Sequence, residues 1–408
     1  MKQVEEHLAD CLAAVDVLPP SPAGLLDALD LVLAEQIRST VDLPRFDNSS
    51  MDGYAVRVGE VAGASAERPV VLPVSADLPA GAAQVEALPP GTVARIMTGA
   101  PLPAGAEAVV PVEWTDGGVD KVAVGQVPDA GQFVRRTGED VRSGELLLGP
   151  GVRLTPRHVA LLAAVGREQV LVHPRPRVLV LSTGSELTPP GADLAPGHIY
   201  DANGYGLVAA ALDLGAQARH GGIVPDRAGD VAAALEAAVG SADLVITSGG
   251  VSAGAYDTVK EVLRERGGVV FDRVAMQPGM PQGFGVLGES QVPIFTLPGN
   301  PVSSMVSFEV FVRPVLRRLA GETVLHRPTA PAVAGASWSS PAGKRQFVRA
   351  RLDVRDDGVL VAVPVGGQGS HLVADLAGAT CLVVVPEGVT AVTEGSPVTC
   401  LLLERGRR

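Results

Sequence analysis

Two stretches combine residue types that could hold an anion. In the first, the β-branched run Val245-Ile246-Thr247 breaks into Ser248-Gly249-Gly250-Val251-Ser252-Ala253-Gly254, and Asp257 precedes a helix with apolar Val259, Val262 and Leu263. Glycines there let backbone N–H groups approach a ligand with no Cβ in the way. In the second, Leu297-Pro298-Gly299-Asn300-Pro301-Val302-Ser303-Ser304, Asn300 suits a helix N-cap and Pro301 the first turn, with two hydroxyls near the positive end of the helix. Glu186, Asp226 and Asp257 fall near strand ends. Carboxylates in such places suit a hard cation such as Mg2+ beside phosphates, although each alone also reads as a cap or a solvated acid.

No GxxxxGK[ST] loop is present, and no GxGxxG follows the first strand of the α/β region. Phosphate recognition would therefore rest on convergence of these loops. Three further polar clusters lie upstream: residues 46–57 (FDNSSMDGYAVR), Arg95 to Ala100, and Val134 to Asp140 with adjacent Arg135 and Arg136. Turn formation accounts for the first two equally well. Paired arginines flanked by acids could grip a phosphate or form a surface charge run.

The elements that must position these residues follow from periodicity. Residues 3–15 and 22–38 read as helices, the second with Leu25, Leu26, Ala28, Leu29, Leu31 and Val32 as its stripe. Short Val-rich runs from 41 to 141, broken by Pro and Gly, predict a compact β module. Residues 155–165 predict a helix capped by Thr155 that returns beside the N-terminal helices, making the β module an insertion. After the stiff segment His173-Pro174-Arg175-Pro176, strands and helices alternate up to 319, which predicts a mainly parallel sheet wrapped by helices. In such sheets ligands sit beyond the carboxyl ends of the strands, where residues 182–187, 248–257 and 297–304 fall. From 323 onward, short strands with Gly/Pro turns predict a small β domain, with Gly366 to His371 as a polar loop. The fold class expected is multidomain α/β plus β. Helical or linker parts span 1–45 and 141–173, the inserted β-rich domain 46–140, the α/β domain 174–322 and a small β-barrel-like domain 323–408.

Composition narrows the function classes. Of 408 residues, 46% are hydrophobic and 19% charged, enough for several cores. The net charge of −12 argues against a broad nucleic-acid or anionic-membrane surface. Three distant cysteines, Cys11, Cys381 and Cys400, have no zinc or disulfide spacing, so reduced thiols and a cytoplasmic location are expected. The acidic N-terminus is no secretory signal, and no apolar run reaches the ~18–20 residues of a membrane span.

The blocks FDNSSMDGYAVR, RIMTGAPLP, RRTGEDV, STGSEL, TSGGVSAGAYD and TLPGNPVSS, in this order, resemble the molybdopterin molybdenumtransferase family, to which the C-terminal portion of gephyrin is also similar. The resemblance runs from about Glu5 to about Leu403. It implies four domains and a homodimer whose site lies between the α/β domain of one subunit and the β module of the other. The implied substrates are adenylylated molybdopterin and molybdate. The pyrophosphate bond is cleaved with Mg2+ present, molybdenum enters the dithiolene, and AMP leaves. Asp52, Thr98, Arg136, Asp140 and Asp257 would be catalytic, and Glu186, Asp226 and Asp257 would hold the metal. Ser248, Gly249, Gly250, Val251, Ser252 and Gly254, with Pro298, Gly299, Asn300, Pro301 and Ser303, would bind the pterin-phosphate and nucleotide portions. The molybdopterin adenylyltransferase of the preceding step is a further partner to consider.

The chain departs from the family pattern at Ser185, where an acid is usual, and at Gln277 and Met280, where lysines are usual. Arg95, Arg135, Arg136 or Lys260 are the cations that could compensate. Two other functions remain open on these grounds: the adenylylation step itself, or a catalytically impaired molybdopterin-binding scaffold.

Overall fold

The computed structural model describes residues 1–250 and 258–403. Its centre is a six-stranded sheet formed by β1 (Arg177–Thr183), β2 (Gln217–Val224), β3 (Leu244–Ser248), β4 (Val269–Arg273), β5 (Pro281–Leu287) and β6 (Val292–Leu297). The spatial order is β2-β1-β3-β6-β5-β4. The first four strands run parallel, and β5 alone runs against them, pairing antiparallel with both β6 and β4. Strands β1, β3 and β6 are buried along their lengths, which is why they read as continuous apolar runs rather than alternating ones.

Helices α1 (Ala202–Asp213), α2 (Ala228–Ala238) and α3 (Thr258–Arg266) cross between strands. Residues 301–319 continue as a helical rod: α4 (Pro301–Ser307), a π-helical turn (Phe308–Val312) and α5 (Arg313–Leu319). Pro314 carries no amide hydrogen, and the wider turn just ahead of it adjusts the backbone ladder. Because β2 and β3 flank β1 on opposite sides, the strand order reverses beside β1, leaving a crevice at the carboxyl ends.

The helix Val4–Ala13 forms as expected, and it packs into the core of this α/β unit. Val4, Cys11 and Val15 share a buried cluster with Phe308, Phe311 and Leu316. Arg318 Nε donates to the Val15 carbonyl at 2.9 Å, and the Leu18 amide donates to the Leu319 carbonyl at 2.9 Å.

The helix expected over 22–38 does not form. Ser21–Gly24 and Val32–Leu33 instead pair with the two sides of the strand Gln169–His173, and Ile37–Arg38 pairs with Leu146–Leu148. Asp30 takes a φ of 65°, incompatible with a continuous helix, and Leu26 is exposed. Ala28, Leu33 and Ile37 bury against Leu154, Leu162 and Val170, so tertiary packing overrides the helical spacing of the leucines.

Between these paired segments the chain forms a five-stranded sheet, ordered Ala108–Pro111, Gly53–Val56, Val93–Ile96, Val70–Leu78 and Lys121–Val124. Near the chain's end, Thr329–Ala334, Arg345–Val354, Leu360–Pro364, Cys381–Val385 and Pro397–Leu402 close on themselves as a barrel. Among the described residues, no helix is long and apolar enough to cross a membrane.

Candidate functional site

Three loops at the carboxyl ends of β1, β3 and β6 enclose a cavity of about 450 Å3. Its lining includes Glu186, Asn203, Asp226, Ser248, Asn300 and His371. Backbone bonds stitch the loops together. The Gly249 amide donates to the Leu297 carbonyl at 3.0 Å, and Thr183 Oγ1 donates to the Ser248 carbonyl at 3.1 Å. Gly249 has a φ of 98°, and a Cβ there would meet the Thr183 carbonyl oxygen at 2.6 Å, so this turn requires glycine.

Of the anion-loop residues expected from the sequence, Ser248, Gly249, Gly250, Gly299, Asn300 and Pro301 line the cavity; Pro298 and Ser303 are buried just behind it. Val251, Ser252, Gly254 and Asp257 lie outside the described residues. Asn300 does not cap α4 with its side chain. It donates instead to Ser370 Oγ at 2.9 Å, and the Val302 amide donates to the Ser370 carbonyl at 3.0 Å. The C-terminal loop 366–371 thus covers the first turn of α4. This polar loop reaches the cavity of its own chain through His371.

Glu186 and Asp226 both face the cavity. Asp226 Oδ2 accepts from the Ser185 amide at 3.0 Å, while the Asp226 amide donates to Ser185 Oγ at 3.4 Å. A Ser185 hydroxyl therefore engages the neighbouring loop where the family has an acid. Among the described residues, no three His, Cys, Asp or Glu side chains converge as a metal cluster. Two hard carboxylates lining the cavity nonetheless suit Mg2+, which commonly takes one or two carboxylates and fills its shell from substrate phosphates and water.

Asp52, Thr98, Arg136 and Asp140 do not line this cavity. They are exposed on the β module. The Thr98 amide and Oγ1 both donate to Asp52 Oδ1, at 2.7 and 2.8 Å, and the amide bond in particular holds the Asp52 carboxyl below its ordinary range. Arg136 pairs with Asp47 at 2.6 Å. Thr137 secures the same carboxylate, whose pKa is lowered chiefly by the Thr137 amide.

Of the cations considered as substitutes for the missing lysines, Arg136, Lys260 and Arg95 are engaged elsewhere, and Arg135 is exposed on the β module. Lys260 sits 5.7 Å over the Phe271 ring, and Arg95 pairs with Asp77 at 3.5 Å. A cation the sequence reading missed is Arg349, 4% exposed, beside a second cavity of about 200 Å3 lined by Gln277, Trp338, Gln346 and Gln368. Its guanidinium donates to the carbonyls of Gly367, Gly369 (3.0 Å) and Leu372 (3.4 Å), fixing the loop that covers α4. Alternation along its strand puts Arg349 on the face of Arg345, Arg351 and Asp353, so the sequence carries no sign of its burial or of the loop it holds.

Also missed was the Asp201–Asn203 pair that opens α1. Asp201 Oδ1 caps the helix by accepting from the Gly204 amide at 2.8 Å, and Oδ2 meets His220 Nε2 at 3.0 Å. Burial alone would raise the Asp201 pKa, but the His220, Ser182 and Gly204 contacts outweigh it and hold the group low. Ser182, His220 and Asp201 do not form a hydrolytic triad. Both oxygens approach the same ring nitrogen, Ser182 Oγ at 3.4 Å, whereas a relay needs both ring nitrogens.

Comparison with known proteins agrees with this architecture. Residues 2–166 match the MoeA N-terminal region (domain I and II), 179–318 a family described as "Probable molybdopterin binding domain", and 331–403 the MoeA C-terminal region (domain IV). Molybdopterin molybdenumtransferase 2 of Mycobacterium tuberculosis is 48% identical over 97% of this chain and 98% of its own. Molybdopterin molybdenumtransferase of Haemophilus influenzae is 36% identical over 92% of each chain. A crystal structure of the molybdopterin biosynthesis MoeA protein from Pyrococcus horikoshii superposes with a TM-score of 0.84 and 34% identity, covering 99% of both chains. With relatives of this similarity spanning nearly its full length, and the same three regions in the same order, the chain belongs to the molybdopterin molybdenumtransferase family.

Proposed function

We propose that this protein inserts molybdenum from molybdate into adenylylated molybdopterin, with release of AMP. The observation that carries the reading is the cavity at the carboxyl edge of β1, β3 and β6, where glycine and serine loop ends meet two carboxylates. Ser248 and the backbone amide of Gly250 are suited to the oxygens of a phosphoanhydride, stabilising charge there without a basic residue, while the Gly249 amide, bonded to Leu297, holds the loop in place. Glu186 and Asp226 would hold Mg2+, with Asp257 as a further ligand. When bound, the ion neutralises charge on the phosphoanhydride and polarises the bond to be broken. The enclosing loops orient the substrate and limit the entry of water.

The oxyanion substrate needs a cation. Arg349 is the best-placed one, because its buried guanidinium faces the second cavity and, among the described residues, has only carbonyls as hydrogen-bond partners. Asp52, Thr98, Arg136 and Asp140 would complete the site from the β module of a second chain in a homodimer, since the cavity of one chain lacks them.

The test is AMP release by the purified full chain with Mg2+, adenylylated molybdopterin and increasing molybdate. The expected outcome is molybdate-dependent release of AMP with formation of active cofactor. Unchanged substrate in the presence of folded protein would sink the proposal, and ATP-dependent formation of the adenylylated pterin would favour the preceding step.

A further inference from the structure

Two of the three loops around the cavity, those after β3 and β6, are joined by one side chain. Asn203, on the first turn of α1, donates from Nδ2 to Ser248 Oγ at 2.8 Å and to the Gly299 carbonyl at 2.7 Å. The Gly299 carbonyl can only accept, so the amide orientation is unambiguous: the NH2 group faces the two loops, and Oδ1 points away with no hydrogen-bond partner among the described residues. Both amide protons are spent.

The consequence falls on Ser248. Its hydroxyl accepts the Asn203 proton through one lone pair, and Asn203 offers it no acceptor in return. The side chain is 3% exposed and lines the cavity. Its O–H is therefore left to donate, and the group facing it must accept. A phosphate oxygen suits this and a donor group does not.

Asp201 and His220 hold the arrangement from behind. Asp201 caps α1 and fixes the turn that carries Asn203, and a Cβ at Gly204 would come within 2.3 Å of His220 Nε2. The position of Asn203 is thus set by close packing.

We infer that Asn203 is the positioning residue of the phosphate site, fixing the Ser248 hydroxyl as a donor and clamping the β3 and β6 loops at one separation. The inference rests on the reading that this cavity takes a phosphate-bearing substrate. A carboxylate at 203 would accept the Ser248 proton, repel the Gly299 carbonyl and place a negative charge beside the ligand.

The test is a double-mutant cycle on the full chain, read by calorimetric binding of AMP, with thermal melting as the check on folding. Asn203→Ala and Ser248→Ala should each weaken AMP binding about 10-fold. The double variant should fall well short of the roughly 100-fold loss of independent effects, because the part of the Asn203 effect that runs through the Ser248 hydroxyl is already lost and only the Gly299 clamp remains to be removed. Asn203→Asp, which keeps the side-chain shape, should weaken binding about 30-fold or more and carries the test if Asn203→Ala loses its melting transition. AMP binding by the native chain with additive effects in the cycle, or with Asn203→Asp binding normally, overturns this inference alone. No AMP binding by the native chain overturns it together with the phosphate reading of the cavity.

Discussion

A guanidinium in a protein interior normally meets a carboxylate, and Arg349 does not: among the described residues it has no ion-pair partner, only three carbonyls. Burial lowers its pKa, with Asp375 a distant compensation. It stays charged at any physiological pH, so an anion entering the adjacent cavity would relieve the desolvation it already bears. Arg349→Met should raise the molybdate concentration for half-maximal AMP release about 10-fold or more, by loss of a charge-assisted contact, while changing AMP affinity less than about 2-fold. Equal loss of both would show that Arg349 acts only by holding the 366–371 loop. Little in the sequence marks this residue. Neither charge nor strand periodicity distinguishes a buried guanidinium serving a loop from an exposed one on a barrel surface. Asn203 was equally hidden, because Asp-Ala-Asn before a helix reads fully as capping, and only the fold brings β3 and β6 alongside it.

Among the elements, the docked helix Val4–Ala13 makes a pH prediction possible. His7, on this helix, is buried against Phe311, whose ring it meets edge-on at 4.8 Å; among the described residues neither ring nitrogen makes a hydrogen bond, and Nδ1 stands 3.7 Å from Asp272 Oδ2. Burial first, and Lys2 second, push its pKa down to about 4, against raising contributions from Asp272 and Asp10. The folded protein thus holds His7 neutral where the unfolded chain would protonate it below about 6.5. More protons bind the unfolded state between these values, so stability rises with pH across the window and is lost as pH falls from 6.5 towards 4. Removing the titration with His7→Leu should flatten that slope by about 3 kcal/mol at most, measured by urea unfolding at pH 7 and pH 4.5.

The same helix shows what periodicity can and cannot reveal. Its apolar stripe and that of residues 22–38 are alike in spacing, yet only the first finds a surface able to bury a helical face. In the α/β domain the alternation of β-branched runs with helical stripes identified strands and helices within a few residues, because local propensity and tertiary burial agree there. Elements of two or three residues, such as Val32–Leu33, owe their existence to distant partners, and no local pattern marks them.

On the scale of the whole molecule, the separation of Asp52, Thr98, Arg136 and Asp140 from the cavity makes the proposed site divisible. If two chains share it, an inactive Arg136→Ala chain and an inactive Asp226→Ala chain damage different halves. Mixing them at equal amounts with subunit exchange should restore about a quarter of native activity: half the dimers are mixed, and each has one intact site of two. Unrestored activity in a verified mixed dimer would place all these residues in a single chain's site or outside the site.

The anchoring of residues 2–18 has a consequence for biosynthesis. Lys2 pairs with Asp272 at 3.0 Å, Glu5 with Arg345, and the Val15 carbonyl with Arg318. At ribosomal rates of about 5–20 residues per second, these partners follow the helix by roughly 15–60 s. For that interval its apolar stripe has no native surface to cover, while residues 21–173 can already pair among themselves. The last act of assembly is then the return of one of the earliest segments made, and a holding chaperone would meet this chain at its beginning.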